Sequence, residues 1–146
     1  MARDIPGCPG CESGEHGHGN NRALLLAEQF GAFGDQFCRE GEFRDAAHMY
    51  ERQLDQLEHA HGKESAELIP ALLNAGDACR SAGRGPQGTH YVTRALALLE
   101  KNFGLTGDDP ASALEAYSAK LQGEGKHYLA VQMGARAKAF RSRRDA

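Results

Sequence analysis

Tryptophan is absent from this 146-residue chain, and aromatic residues make up only 7% of it. Strands favour β-branched and aromatic side chains, whereas alanine and leucine, which dominate the apolar set here, lose little on entering a helix. The scarcity therefore points to an all-helical fold. No apolar run approaches the roughly 20 residues needed to cross a bilayer. The first residues carry Gly, Pro and Cys where a secretory signal would be hydrophobic. A cytoplasmic protein without a membrane span is expected, and in a reducing compartment Cys38 and Cys79 read as small buried hydrophobes and not as halves of a bridge. Catalytic constellations are missing too. His48, Glu51 and Asp55 share a stretch of helix, yet no H-E-x-x-H arrangement results, and no glycine loop precedes a lysine and a hydroxyl. His59 and His61 stand two apart and face different directions. With no nucleophile, base and carboxylate set in view, no enzyme is expected.

What is present is an ordinary globular composition, 40% hydrophobic and 25% charged, long enough for a real core. The formal net charge of −3 hides an asymmetry. Residues 1–125 hold 11 Lys and Arg against 19 Asp and Glu, while residues 126–146 hold 6 against 1. The body repels polyanions, and only the tail attracts them, so a nucleic-acid partner is not expected.

Sliding the sequence against itself by 42 positions places Gly41, Gly83 and Gly125 in one column. Upstream, the columns read Phe30/Leu72/Leu114, Phe33/Ala75/Tyr117, Gly34/Gly76/Ser118 and Phe37/Cys79/Leu121. Their separations of three, one and three put an apolar stripe with one small residue on a single helix face, where a neighbour can approach closely. Downstream, Ala46/Gly88/Ala130 and Gln53/Ala95/Ala137 lie two turns apart on one face, and Leu54/Leu96 and Leu57/Leu99 extend it. Each repeat thus predicts helix, glycine-centred turn, helix, with helices near 22–40 and 43–60, 65–82 and 87–103, 110–124 and 127–141. The glycines release the chain through the left-handed conformation. Asp109 is placed to cap a helix whose first turn holds Pro110. Pro70 leaves two readings open: a helix starting near Ile69, or one bent there. The domain plan is a flexible leader over 1–21, repeats over about 22–62, 63–107 and 108–141, and a basic tail over 142–146.

At these columns the sequence resembles the tetratricopeptide repeat. Phe30, Phe33, Gly34, Phe37, Gly41, Phe43, Ala46, Tyr50 and Leu54 follow that family's alternation of large, small, turn-glycine and aromatic positions, with Gln53 a departure. The second repeat keeps Leu72, Ala75, Gly76, Cys79, Gly83, Ala95 and Leu96 but has Gly85 and Gly88 at an aromatic and an alanine position. The third departs at Gly134 and Lys138. A period of 42 and the segment Arg94–Gly104, followed by Asp108-Asp109-Pro110, are similar to the longer repeats of kinesin light chains. The resemblance implies a right-handed stack of antiparallel hairpins, an α-solenoid of about three units. It further implies a protein-binding scaffold or adaptor with a concave groove lined by the first helix of each pair. By that resemblance the groove is offered Glu28, Asp35 and Arg39 from the first repeat, Leu73, Asp77 and Arg80 from the second, and Glu115 and Gln122 from the third. The apolar columns are taken up by packing. Asp35 and Asp77 are equivalent in successive repeats and favour a peptide bearing basic residues, with Arg39 and Arg80 one turn on.

Two further features stand outside the repeats. Cys8 and Cys11, two thiols in a C-x-x-C spacing, are followed by His16 and His18, so the leader offers four ligands for a zinc ion or is simply a solvated segment. A metal-stabilised accessory protein is the second functional reading. Arg136, Lys138, Arg141, Arg143 and Arg144 form a basic end beside Phe140, and no base-reading module accompanies them. Three repeats are near the lower limit of autonomous stability, so self-association or a place in a larger assembly is also expected.

Overall fold

The computed structural model describes residues 17–105 and 109–145, the backbone alone for 17–20 and 143–145. Among the described residues all regular structure is helical: α1 (Gly17–Arg39), α2 (Phe43–His61), α3 (Ile69–Ser81), α4 (Gly85–Phe103), α5 (Pro110–Gly123) and α6 (His127–Asp145), with a 3₁₀ turn at Ala66–Leu68. The helices pair as antiparallel hairpins, α1 with α2, α3 with α4 and α5 with α6.

The three aligned glycines occupy equivalent bends. Gly41, Gly83 and Gly125 have φ of 76°, 85° and 82°. At each bend the same pair of bonds closes the helix. The residue after the glycine donates its N–H to the carbonyl five residues back, Glu42 to Phe37 at 2.8 Å, Arg84 to Cys79 at 2.7 Å and Lys126 to Leu121 at 2.9 Å. The glycine itself donates to Cys38, Arg80 and Gln122 in turn, at 3.1 Å each time. This is the Schellman closure, which satisfies carbonyls the helix end leaves open and needs a residue free to take positive φ. Gly62 and Gly104 form a second column, at φ 89° and 68°, where the second helices of the first two hairpins end.

Inside each hairpin the small column lets the helices touch. A Cβ on Gly34 would lie 2.5 Å from the Tyr50 ring, and one on Gly76 would lie 2.9 Å from Val92 and 3.1 Å from the Gly88 carbonyl. In the third hairpin, Ser118 instead donates its hydroxyl to the Ala130 carbonyl at 2.7 Å. The residue opposite it is Gly134, so the bulk has moved off the second helix.

Local chemistry fixes the helix starts. Asp109 caps α5 by accepting the Ala111 N–H at 3.1 Å, with Pro110 in the first turn. Pro70 likewise sits in the first turn of α3, which starts at Ile69, and Ser65 accepts the Glu67 N–H ahead of it. Both outer helices exceed their predicted spans: α1 starts at Gly17 instead of 22, and α6 runs to Asp145 instead of 141. Apolar periodicity locates only the packed part of a helix, and polar turns add to either end at little cost.

By internal contacts the chain divides into two compact parts, at Ala95–Leu96 within α4. In the first part α2 packs on both α1 and α3. Eight of the 13 residues of α3 are buried, among them Leu72, Leu73, Ala75 and Cys79. In the second part Phe103 stacks on Tyr117, ring centroids 5.6 Å apart, and the Lys120 ammonium lies 4.9 Å from the Phe103 centroid. Leu114, Leu121, Met133 and Ala137 complete that core.

Candidate functional site

The residues predicted to line a groove meet different fates. Glu28 and Arg39 are exposed on α1. Asp35 is exposed as well, but it accepts a hydrogen bond from the Tyr50 hydroxyl at 2.6 Å, which ties α1 to α2. Its first role is therefore inside its own hairpin. Arg39 donates to Gln36 at 2.7 Å. In the second hairpin Arg80 and Asp77 pair with each other at 2.7 Å, both partly exposed, an ion pair that solvent screens strongly. Leu73 does not belong to any surface: it is 1% exposed. α3 is apolar nearly all round because it is packed on more than one side, so a leucine between the main columns is buried too. In the third hairpin Glu115 receives a two-pronged pair from Arg141, at 2.8 Å for one prong, and this guanidinium holds its carboxyl below the usual range. Gln122 is exposed beside it on α5, where it lines a shallow depression with Ser118, Gly134 and Lys138.

Sequence reasoning missed a polar hub on α2. The Glu51 carboxylate accepts from the Tyr91 hydroxyl at 2.7 Å, from Arg84 at 3.1 Å and from Gln87 at 3.1 Å, joining α2 to the start of α4 and the bend before it. His48 lies 3.7 Å away on the same helix. Burial and the bond to Glu51 push the Tyr91 hydroxyl up to about 12. Beneath, burial likewise raises the Cys79 thiol, and Arg84 partly opposes it. A second cross-link of this kind runs from Glu58 to Arg94, at 2.7 Å. The partners are 33 to 40 residues apart in sequence, beyond what local periodicity encodes. Arg84, Gln87 and Tyr91 all spend their contact with Glu51 on holding α2 to α4 and the bend before it.

Apolar columns behave differently at the first hairpin than expected. Phe33 is 57% exposed, while its column mates Ala75 and Tyr117 are at 0% and 4%. Phe30 and Phe37 are half-buried, with the Arg52 guanidinium 5.2 Å from the Phe30 ring centroid. These columns were expected to be taken up by packing; Phe33 departs from that, and no helix of the described residues precedes α1. Beside Phe37 an open groove is lined by α2 residues of both signs, Asp45, His48, Met49, Glu51, Arg52 and Asp55. On α6, Tyr128 and Val131 are exposed as well.

Of the proposed zinc ligands, Cys8, Cys11 and His16 lie outside the described residues, and His18 falls in the first turn of α1 with its side chain outside them. Among the described residues no group of three His, Cys, Asp or Glu is arranged to hold a metal ion, and no helix is long and apolar enough to cross a membrane. No protein-family model matches the chain, and no curated protein is found similar to it. The class defined by the coordinates is an all-helical array of antiparallel hairpins repeating every 42 residues.

Proposed function

We propose that the chain is a tetratricopeptide-like scaffold that holds a protein or peptide partner in the cytoplasm and catalyses nothing itself. The observation that carries this reading is the threefold recurrence of one hairpin, with the same bend, the same closing bonds and the same close-approach column at 42-residue spacing. A fold built by repeating one element presents the same polar positions again and again along its helices, and such surfaces suit extended partners. The groups that hold helices together at Glu51 and Tyr50 are satisfied internally, which leaves recognition to the outward faces of the first helices. Glu28 on α1 and Asp77 on α3 are the carboxylates offered to a partner bearing Lys or Arg, Asp77 by exchanging its half-exposed pair with Arg80, whereas Asp35 is bonded to the buried Tyr50 within its hairpin and Leu73 is in the core.

The test is affinity capture from a cell extract with the intact chain beside a Glu28→Arg, Asp77→Arg variant. A captured protein whose affinity drops at least about tenfold in the variant, with helicity unchanged, is the expected result. Equal retention by both proteins, or no protein retained by the intact chain, would sink the reading.

A further inference from the structure

We propose that the notch between Ser118 on α5 and Gly134 on α6 is a binding site for an acidic peptide, which lays one of its apolar side chains into it. The site belongs to the third hairpin and takes a partner opposite in charge to the one proposed for Glu28 and Asp77, so the two readings stand or fall separately.

One contact column, followed through the three hairpins, carries the inference. The second helices hold Tyr50, Val92 and Gly134 at the same place, facing Gly34, Gly76 and Ser118 on the first helices. Tyr50 and Val92 fill the space over their glycines and are 4% and 7% exposed. In the third hairpin neither helix supplies that bulk. Among the described residues, a Cβ on Gly134 would meet Ser118 Oγ alone within 4 Å, at 3.5 Å, its own helix backbone aside. That hydroxyl is turned to the Ala130 carbonyl at 2.7 Å. What remains is a depression of about 400 Å³, inside the roughly 300–1,000 Å³ span of ligand sites. Space that two hairpins fill with their own side chain is left in the third for a side chain from outside.

The walls of the depression select an apolar side chain. Ala130, Val131 and Ala135 line it, and the last two stand where the second hairpin has the exposed threonines Thr89 and Thr93. Tyr128, exposed one turn before Val131, extends the apolar strip along α6. The rim selects the charge. Its carboxylate, Glu115, is held in the two-pronged pair with Arg141, whereas Lys138 is exposed and makes no ion pair among the described residues. Gln122 adds an exposed amide able to donate to a carboxylate. The surrounding stretch 126–146 holds 6 Lys and Arg against 1 Asp or Glu. A peptide with Asp or Glu beside a large apolar residue meets both the apolar wall and the uncommitted cation, while a nucleic acid meets only the cation.

Selection from a library of random short peptides, on the intact chain beside Gly134→Val, tests the proposal. Valine is what the second hairpin carries at this position, so the variant closes the notch from within. The intact chain is expected to enrich peptides with a large apolar residue next to Asp or Glu. The best of them, labelled and titrated by fluorescence polarisation, is expected to bind Gly134→Val at least about tenfold more weakly, the scale of one apolar side chain left unburied. Basic peptides selected through Glu28 and Asp77 are retained equally by both proteins, which keeps the two readings apart. Two variants at exposed positions decide the matter if Gly134→Val loses helicity. Val131→Ser and Lys138→Glu are each expected to weaken binding several-fold, and the effect of the second shrinks at high salt. The proposal is overturned if no such peptide is enriched, or if the variants bind it as well as the intact chain. It is overturned too if poly-glutamate or an RNA oligonucleotide, which carry charge without apolar side chains, binds as tightly as the selected peptide.

Discussion

The Tyr50 hydroxyl donates to the Asp35 carboxylate at 2.6 Å, joining the second helix of the first hairpin to the first. The tyrosine is 4% exposed and its ring fills the space left by Gly34, so bond and close approach depend on each other. Burial, followed by the bond to Asp35, raises the Tyr50 pKa far above its ordinary value. Tyr50→Phe keeps the packing and removes the bond, and is expected to cost about 1.5–3 kcal/mol, the range for a hydrogen bond to a charged partner. Urea denaturation reads this directly. No loss would mean that Asp35 is as well served by water and remains available to a ligand.

The small column should respond to alanine according to what faces it. Gly34→Ala and Gly76→Ala drive a methyl into the Tyr50 ring and into Val92 with the Gly88 backbone, at an expected cost of about 1–3 kcal/mol each. Gly134→Ala has Ser118 Oγ at an ordinary 3.5 Å and gains helix propensity, so it should stabilise by about 0.5–1 kcal/mol. Thermal melts of the three variants separate the cases by sign.

Leu73 gives a contrast between core and surface. Leu73→Ala is expected to cost about 2–5 kcal/mol through a cavity in α3. Glu28→Arg, at an exposed position, should stay within about 0.5 kcal/mol of the parent. Equal melting temperatures for the two would place Leu73 at the surface after all.

Raising the pH should loosen the first part of the chain before its backbone chemistry is affected. Both Tyr50 and Tyr91 have folded-state pKa values above the ordinary tyrosine value, Tyr91 at about 12. The unfolded chain therefore releases these protons first. The stability they contribute is complete below about pH 10 and declines as pH climbs toward 12. Denaturation midpoints taken at increasing alkalinity should fall, and the Tyr50→Phe, Tyr91→Phe double variant should show a flatter dependence. An unchanged slope would mean the hydroxyls titrate as freely folded as unfolded.

What the sequence revealed was what is encoded locally. Gly41, Gly83 and Gly125 had to share a conformation because each ends an apolar stripe at the same distance. Asp109 and Pro110 define a helix start by themselves, and Pro70 narrowed its helix to two choices, of which the coordinates take the first-turn position. The position of Leu73 was misjudged because a single stripe was assumed for α3, although Ala71, Leu73 and Ala78 lying off that stripe are the mark of a helix covered on more than one side. Phe33 failed in the opposite sense: its column is buried only where another hairpin comes before. Glu51 was weighed only for an H-E-x-x-H arrangement that the spacing does not give, since nothing within a turn or two of it announces Arg84, Gln87 and Tyr91 as partners.

Because Gly62 and Gly104 let the chain go in the same manner one period apart, the stretch 63–104 behaves like a link with matching ends. A gene carrying that stretch twice in tandem would read through each junction with the local bonding it already has, so the molecule can be lengthened in steps of one hairpin without inventing any new corner.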